Sequence, residues 1–287
     1  MNTTLSRRCV LITLSISMPS KAKKDREVTD RTLNAENAQK DAGRWVANLY
    51  PPQAFEMVQR CATKIREIVA RNTLPWRDDG SRILPCASML SIAEVLGEGK
   101  SKFFAYAQES ASHFDEWLRI AQEVRGHMFK RSDYPDDSDE FLRGFAVTID
   151  YLPLPDASHV VMDMAEDEII MVRESTDKAI RAAGDRAAQD LKDRLAAPLR
   201  AMVDTLKVPD KIFRDSLVQN VSEIVKLFPA LNITLDPVLS DVASDMHDLV
   251  KSTSAQQLRT NRTARQDAVE RAERILAKVV EPVVMQQ

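Results

Sequence analysis

Glycine is scarce in this chain, at 7 of 287 residues. Gly-rich phosphate loops and β folds with many tight turns need residues that adopt positive φ freely, so the scarcity argues against both. Cysteine is scarcer still. Cys9, Cys61 and Cys86 have neither CxxC spacing nor a partnering His cluster, which disfavours a disulfide framework and a structural zinc site and fits a reducing compartment. No stretch of 18 apolar residues occurs, so a transmembrane helix is not expected. The run Ser6 to Ile12, with Arg7-Arg8, looks superficially like a twin-arginine or secretory signal. The segment after it is broken by Thr13, Ser15 and Ser17 and leads to Lys21, Lys23 and Lys24 instead of a small-residue cleavage site, so export is not expected. Walker A, GxGxxG, GxSxG, HExxH and EF-hand spacings are all missing. The expectation is therefore a protein without cofactor or metal, leaning away from an enzyme.

The chain does hold ample core material, with 44% hydrophobic and 29% charged residues. Net charge is −3, which gives no chain-wide signature for nucleic acid. The distribution is less even than the sum. Met1 to Thr32 carries seven Lys/Arg against three Asp/Glu, Asp133 to Glu168 one Arg143 against eleven acids, and Lys251 to Lys278 seven basic residues against three acids. Complementary ends and middle are expected to meet within or between subunits.

Periodicity sets the expected architecture. Val10, Ile12, Leu14, Ile16 and Met18 alternate with Leu11, Thr13, Ser15 and Ser17, predicting a strand over about 9–18 ended by Pro19. A second alternation predicts a strand over 145–152, and His159 to Met164 is a candidate third; the segments should pair in one small antiparallel sheet. Helical spacing is read over Asn34–Leu49 (Ala38, Ala42, Trp45, Leu49), after Pro51-Pro52, and from about Ser101 to Phe129. Thr73 to Pro85 reads as an irregular segment with a turn at Asp79-Gly80. From Glu166 to about Leu206, apolar and small residues step by three or four, predicting one long amphipathic helix kinked at Pro198, either a core helix or an oligomer seam. Pro209-Asp210 is expected to start a helix burying Ile212, Phe213, Leu217, Val221, Ile224, Val225 and Phe228; Asp236-Pro237 starts another, and a last runs from Ala255 to Val280. The fold class is thus mainly α with a small antiparallel β-sheet, a long amphipathic helix and a C-terminal helical bundle. Its divisions are 1–164, 165–207 and 208–287.

Four clusters could carry chemistry. The acids Asp133, Asp136, Asp137, Asp139 and Glu140 lack the ligand spacing of a cation loop, and Ser138 is taken as the N-cap of a short helix. Glu109 and His113 share a helix face near Glu116 and Trp117, which suits an exposed Glu-to-His hydrogen bond better than a metal site. Lys21, Lys23, Lys24 and Arg26, with Arg259, Arg262 and Arg265, are candidate nucleic-acid contacts. Such a role also needs aromatic platforms for bases, for which Trp45, Tyr50 and Trp76 are the candidates, Trp45 on a core-spaced helical position. Trp76, Arg77, Asp79 and Arg82 on the proline-framed segment are candidate partner contacts, since Trp and Arg dominate recognition surfaces; the competing possibility is that Trp76 plugs the core.

Leu11 to Lys24, Thr73-Leu74-Pro75-Trp76 with Asp78, Gly80, Arg82, Leu84 and Pro85, and Pro209 to Leu217 together resemble a group of bacteriophage-encoded hypothetical proteins. That resemblance spans most of the chain and implies expression in the cytoplasm of an infected bacterial host; it supplies no catalytic residues. The N-terminal strand and its basic sequel are also similar to a phage family encoded beside MoxR-like AAA+ ATPases. The leading expectation is a non-enzymatic phage protein that self-associates through its helices, without a membrane, and binds a phage or host protein as an adaptor, structural or host-takeover factor. The alternative is a single-stranded nucleic-acid-binding or recombination accessory protein.

Overall fold

The computed structural model describes residues 2–156, 166–208 and 211–280. It is mainly α-helical with two small sheets. Strands are β1 (Cys9–Ser17), β2 (Ala22–Asp25), β3 (Trp45–Asn48), β4 (Leu74–Pro75), β5 (Arg82–Pro85) and β6 (Ala146–Pro153). Helices are α1 (Asn2–Arg8), α2 (Arg26–Ala35), α3 (Glu56–Asn72), α4 (Cys86–Ser112), α5 (Phe114–Arg125), α6 (Ser138–Arg143), α7 (Glu166–Leu206), α8 (Ser216–Leu231), α9 (Pro237–Lys251), α10 (Ala255–Thr260) and α11 (Arg262–Val280). Among the described residues no helix is long and apolar enough to cross a membrane. The candidate strand at His159 to Met164 lies outside the described residues.

The larger sheet runs β4-β5-β1-β6. The two distant alternating segments, β1 and β6, are neighbours in it, as their patterns predict. Its other half was hidden in the irregular segment. Leu74 pairs with Ile83 and Pro75 with Arg82, while Cys9 to Ile12 pair antiparallel with Pro85 to Arg82. Gly80 turns this hairpin at φ +88, where any side chain would strain the backbone, and Asp79 Oδ1 accepts from Ser81 N at 2.9 Å.

The chain forms two compact units that do not follow chain order. The first takes residues up to Thr13, Ala70–Ser91 and Asp150 onward; the regions 165–207 and 208–287, separate by sequence pattern, belong to it together. Its core is built on α7. Ile180, Ala183, Ala187, Leu191, Leu195, Leu199, Met202 and Leu206 are all buried, and α7 packs on α8, α11 and β4 while α9 packs on α8 and α11. The stripe that suggested an oligomer seam is therefore filled from Ile180 onward by the chain's own helices, because Val221, Ile224, Ala268, Ala272 and their neighbours cover it. Asp236 caps α9 through Val238 N and Leu239 N with Pro237 in the first turn.

Three expectations need correction here. Ile212 is 94% exposed and α8 starts only at Ser216, so Phe213 is the apolar side chain this connection buries. Ala255 to Val280 is two helices, divided at Asn261, whose Oδ1 accepts from Ala264 N in place of continued helix. The helix read over Asn34–Leu49 is also absent. Helix α2 ends at Ala35, and Trp45 to Asn48 form β3, paired with β2.

The second unit spans Leu14–Val69 and Ile92–Ile149. It packs around Tyr50, Phe55, Phe103, Phe114, Tyr134, Phe141 and Phe145, whose rings meet edge-on or tilted at 5.2 to 6.3 Å. Helix α4 begins at Cys86, fifteen residues before the predicted start, and gives way at His113 to α5.

Truncating the fully buried Leu195 to Ala is expected to cost about 2–5 kcal/mol, whereas Ile212→Ala should stay within about 0.5 kcal/mol. Urea unfolding of both variants checks the reassignment of Ile212; equal losses would contradict it.

Candidate functional site

A cavity at which charged residues converge lies in the second unit. Its volume is about 440 Å³, and its lining comes from β2 (Lys23, Lys24, Asp25), the start of α2 (Arg26, Glu27), β3 (Ala47), the end of α5 (Arg125) and the turn after it (Lys130, Ser132, Asp133). Sequence spacing alone places Lys23, Lys24 and Arg26 near one another. Their partners come from about a hundred residues away.

The pairing of β2 and β3 reaches back to Lys21, whose carbonyl accepts from Leu49 N, and the register Lys23↔Ala47, Lys24↔Val46 and Asp25↔Trp45 fixes the ribbon. Directly opposite residues share a face, so Lys23, Asp25, Ala47 and Trp45 line up on one side of it. Ala47 is buried in the cavity, while Trp45 is 45% exposed at the ribbon's end. Asp25 caps α2 by accepting from Val28 N at 3.1 Å, and Thr29 Oγ1 accepts from Trp45 N at 2.8 Å, which ties the ribbon to the helix.

Arg125 is the least accessible cation, 7% exposed. Its Nη1 donates to Asp133 Oδ2 and to the Tyr134 hydroxyl, both at 3.2 Å, while its Nη2 has no hydrogen-bond acceptor among the described residues. Asp133 also accepts from Lys23 Nζ at 2.8 Å. Burial alone would raise the Asp133 pKa, but the hydrogen bonds from Lys23 and Arg125 hold it below the usual aspartate value. Lys130 donates to Glu27, which raises the lysine pKa.

The acid cluster resolves into structural parts. Asp137, not Ser138, is the N-cap of α6, accepting from Glu140 N at 2.7 Å because its side chain sits one residue before the helix; Glu140 Oε2 in return accepts from Asp136 N. Among the described residues no group of three or more His, Cys, Asp or Glu is placed to hold a metal.

A second cavity of about 180 Å³ gathers Met57, Tyr106, Glu109, Ser110, His113 and Trp117. Here the expected Glu109-to-His113 side-chain bond is replaced by one between His113 Nδ1 and the Glu109 carbonyl at 2.9 Å. The four-residue spacing puts that carbonyl within reach of the ring.

The remaining sequence candidates divide by what holds them. Trp76 is 3% exposed in the first unit's core, so its ring offers no contact area to a partner. Arg82 bonds Thr73 Oγ1 and Thr73 O, and Arg186 the Trp76 carbonyl. Only Arg77, stacked over Trp76 at 5.6 Å, and the hairpin tip at Asp78 and Asp79 are exposed there. Arg265 bonds the carbonyls of Leu206, Thr205 and Val208, ending α7, and Arg259 bonds Phe213 O and Asp215. Both guanidinium groups lie over the Phe213 ring. Arg262 is exposed. Lys21 sits over Phe55 and bonds Gln59. Burial, with Cys86 beside it, pushes the Cys9 thiol up to about 12, far from the reactive thiolate.

Sequence reasoning missed Arg125, Lys130, Ser132 and the exposure of Trp45. The one usable signal was charge complementarity between Lys23 and the acid Asp133.

Breaking the buried pair with Asp133→Ala should cost about 3–5 kcal/mol at pH 7. Because the folded aspartate titrates below the ordinary value of 3.8, that stability is present above this pH and fades as pH falls below it. Unfolding midpoints of wild type and variant should therefore converge in acid; a gap unchanged in acid would remove the pair as its cause. Compared with protein-family models, curated proteins and solved structures, the chain matches none of them, and its own residues carry the functional argument.

Proposed function

We propose that the protein is a non-enzymatic single-stranded nucleic-acid-binding protein, an accessory to recombination working in the cytoplasm of a phage-infected bacterial cell. The observation that carries this is the ribbon β2–β3, on which exposed Trp45 lies in line with Lys23 and beside a cavity lined by Lys24, Arg26 and Lys130. Strand binding needs two things together, cations that track phosphates and an aromatic face on which a base stacks. Here Lys23 shares the face of Trp45, Lys24 and Arg26 follow along the same segment, and Arg44 precedes the tryptophan, exposed as well. The C-terminal basic helix adds less, since Arg259 and Arg265 already hold backbone carbonyls.

A fluorescence-anisotropy titration with a labelled oligo-dT tests this. Trp45→Ala is expected to weaken binding by about 1–3 kcal/mol, and Lys24→Ala to lower the slope of log K against log salt by about 0.7. Unchanged affinity in both folded variants, or no binding at low salt, rejects the proposal.

A second reading, self-association with an adaptor role, is favoured by Ile170 and Met171, which are exposed on the first turns of α7. Light scattering is then expected to give a mass above 32.3 kDa that falls in an Ile170→Glu, Met171→Glu variant. A concentration-independent monomer would reject that reading.

A further inference from the structure

We propose that the cavity beside the ribbon binds the phosphate monoester of a nucleotide, carried either by the end of a strand or by a free mononucleotide. This rests on the nucleic-acid reading above and names the chemistry of its site. The lining holds five cations, Lys23, Lys24, Arg26, Arg125 and Lys130, and three carboxylates, Asp25, Glu27 and Asp133. Each carboxylate is already engaged: Asp25 caps α2, Glu27 accepts from Lys130, and Asp133 accepts from Lys23 and Arg125. Lys24 and Arg26 have no acceptor among the described residues. The cavity is left with a surplus of two positive charges.

A monoester phosphate carries about −1.5 to −2 at neutral pH and offers three terminal oxygens, whereas a diester inside a strand carries a single charge. The surplus matches the monoester. Volume points the same way, because about 440 Å³ falls in the range that encloses small ligands and leaves room for the sugar behind a phosphate. Ser132 supplies a neutral donor, and the ten-residue α2 starts here with the positive end of its dipole. Arg125 adds a polar group that its own surroundings do not satisfy. Its Nη2 is buried without an acceptor among the described residues, and Asp133 holds the other arm of the guanidinium as a ligand oxygen would. A phosphate oxygen at Nη2 completes the bonding of that group while Asp133 keeps the other arm.

The test is anisotropy on the full-length protein with three oligo-dT strands, one 5′-phosphorylated, one 3′-phosphorylated and one with hydroxyl ends, and with uridine monophosphate as competitor. Binding about tenfold tighter for a phosphorylated end, or displacement by the monophosphate, is expected. The gain should disappear in a Lys24→Ala, Arg26→Ala variant whose circular dichroism is unchanged. Equal affinity for all three strands with no competition overturns the proposal and leaves the ribbon reading standing. Calorimetric binding of uridine monophosphate when no strand binds supports the pocket and removes the ribbon reading. No binding of either removes both.

Discussion

Backbone carbonyls set free where a helix or strand ends must find a donor, and in this protein arginine supplies it. Arg265 takes three carbonyls at the end of α7, Arg194 takes those of Arg71 and Thr73 at the end of α3, and Arg131 takes those of Tyr134, Pro135 and Asp136. Arg186 and Arg259 hold the carbonyls of Trp76 and Phe213, and Arg8 that of Ile233. A chain with seven glycines has few left-handed caps at hand to close its helices. A planar guanidinium with several donors can close the same gaps from a distance in sequence.

This use of arginine changes what the charge pattern means. The basic C-terminal stretch has the composition of a nucleic-acid arm, yet two of its candidate contacts are spent on the frame of the first unit. The N-terminal basic stretch is different. Lys23 and Lys24 sit on a two-stranded ribbon with Arg26 at the helix that follows, and Lys24 and Arg26 bond no acceptor among the described residues, so they keep their charge for something else. Counting basic residues weighs the two stretches alike; their hydrogen bonds separate them.

The same contrast governs how far the sequence could be read. Helix α7 was visible end to end because some forty residues of three-and-four spacing leave little room for coincidence, and Asp236-Pro237 and Asp79-Gly80 act through their immediate neighbours. Strand β3 was not visible. Ala38, Ala42, Trp45 and Leu49 mimic a helical stripe, and a four-residue strand has no period long enough to outweigh it. What decides its conformation is pairing with β2, twenty residues upstream. The cavity was hidden for a related reason, since Arg125 and Lys130 reach Lys23 only through the packing of the second unit's aromatic core. The hairpin β4–β5 lies between these cases: its turn was evident, while its strands are too short to announce themselves.

The interleaving of the two units has a consequence for biogenesis. The first unit needs Cys9 to Ile12 beside Arg82 to Pro85 and a helical core that reaches as far as Val279. The second is complete in sequence once Ile149 has been made. During synthesis the second unit can therefore close while more than a hundred residues of the first are still to be translated, and the core face of the N-terminal strand, at Cys9 and Leu11, stays uncovered until α7 and the helices after it arrive. Pairings so distant in sequence close slowly, and until they do the apolar face of that strand is open to aggregation.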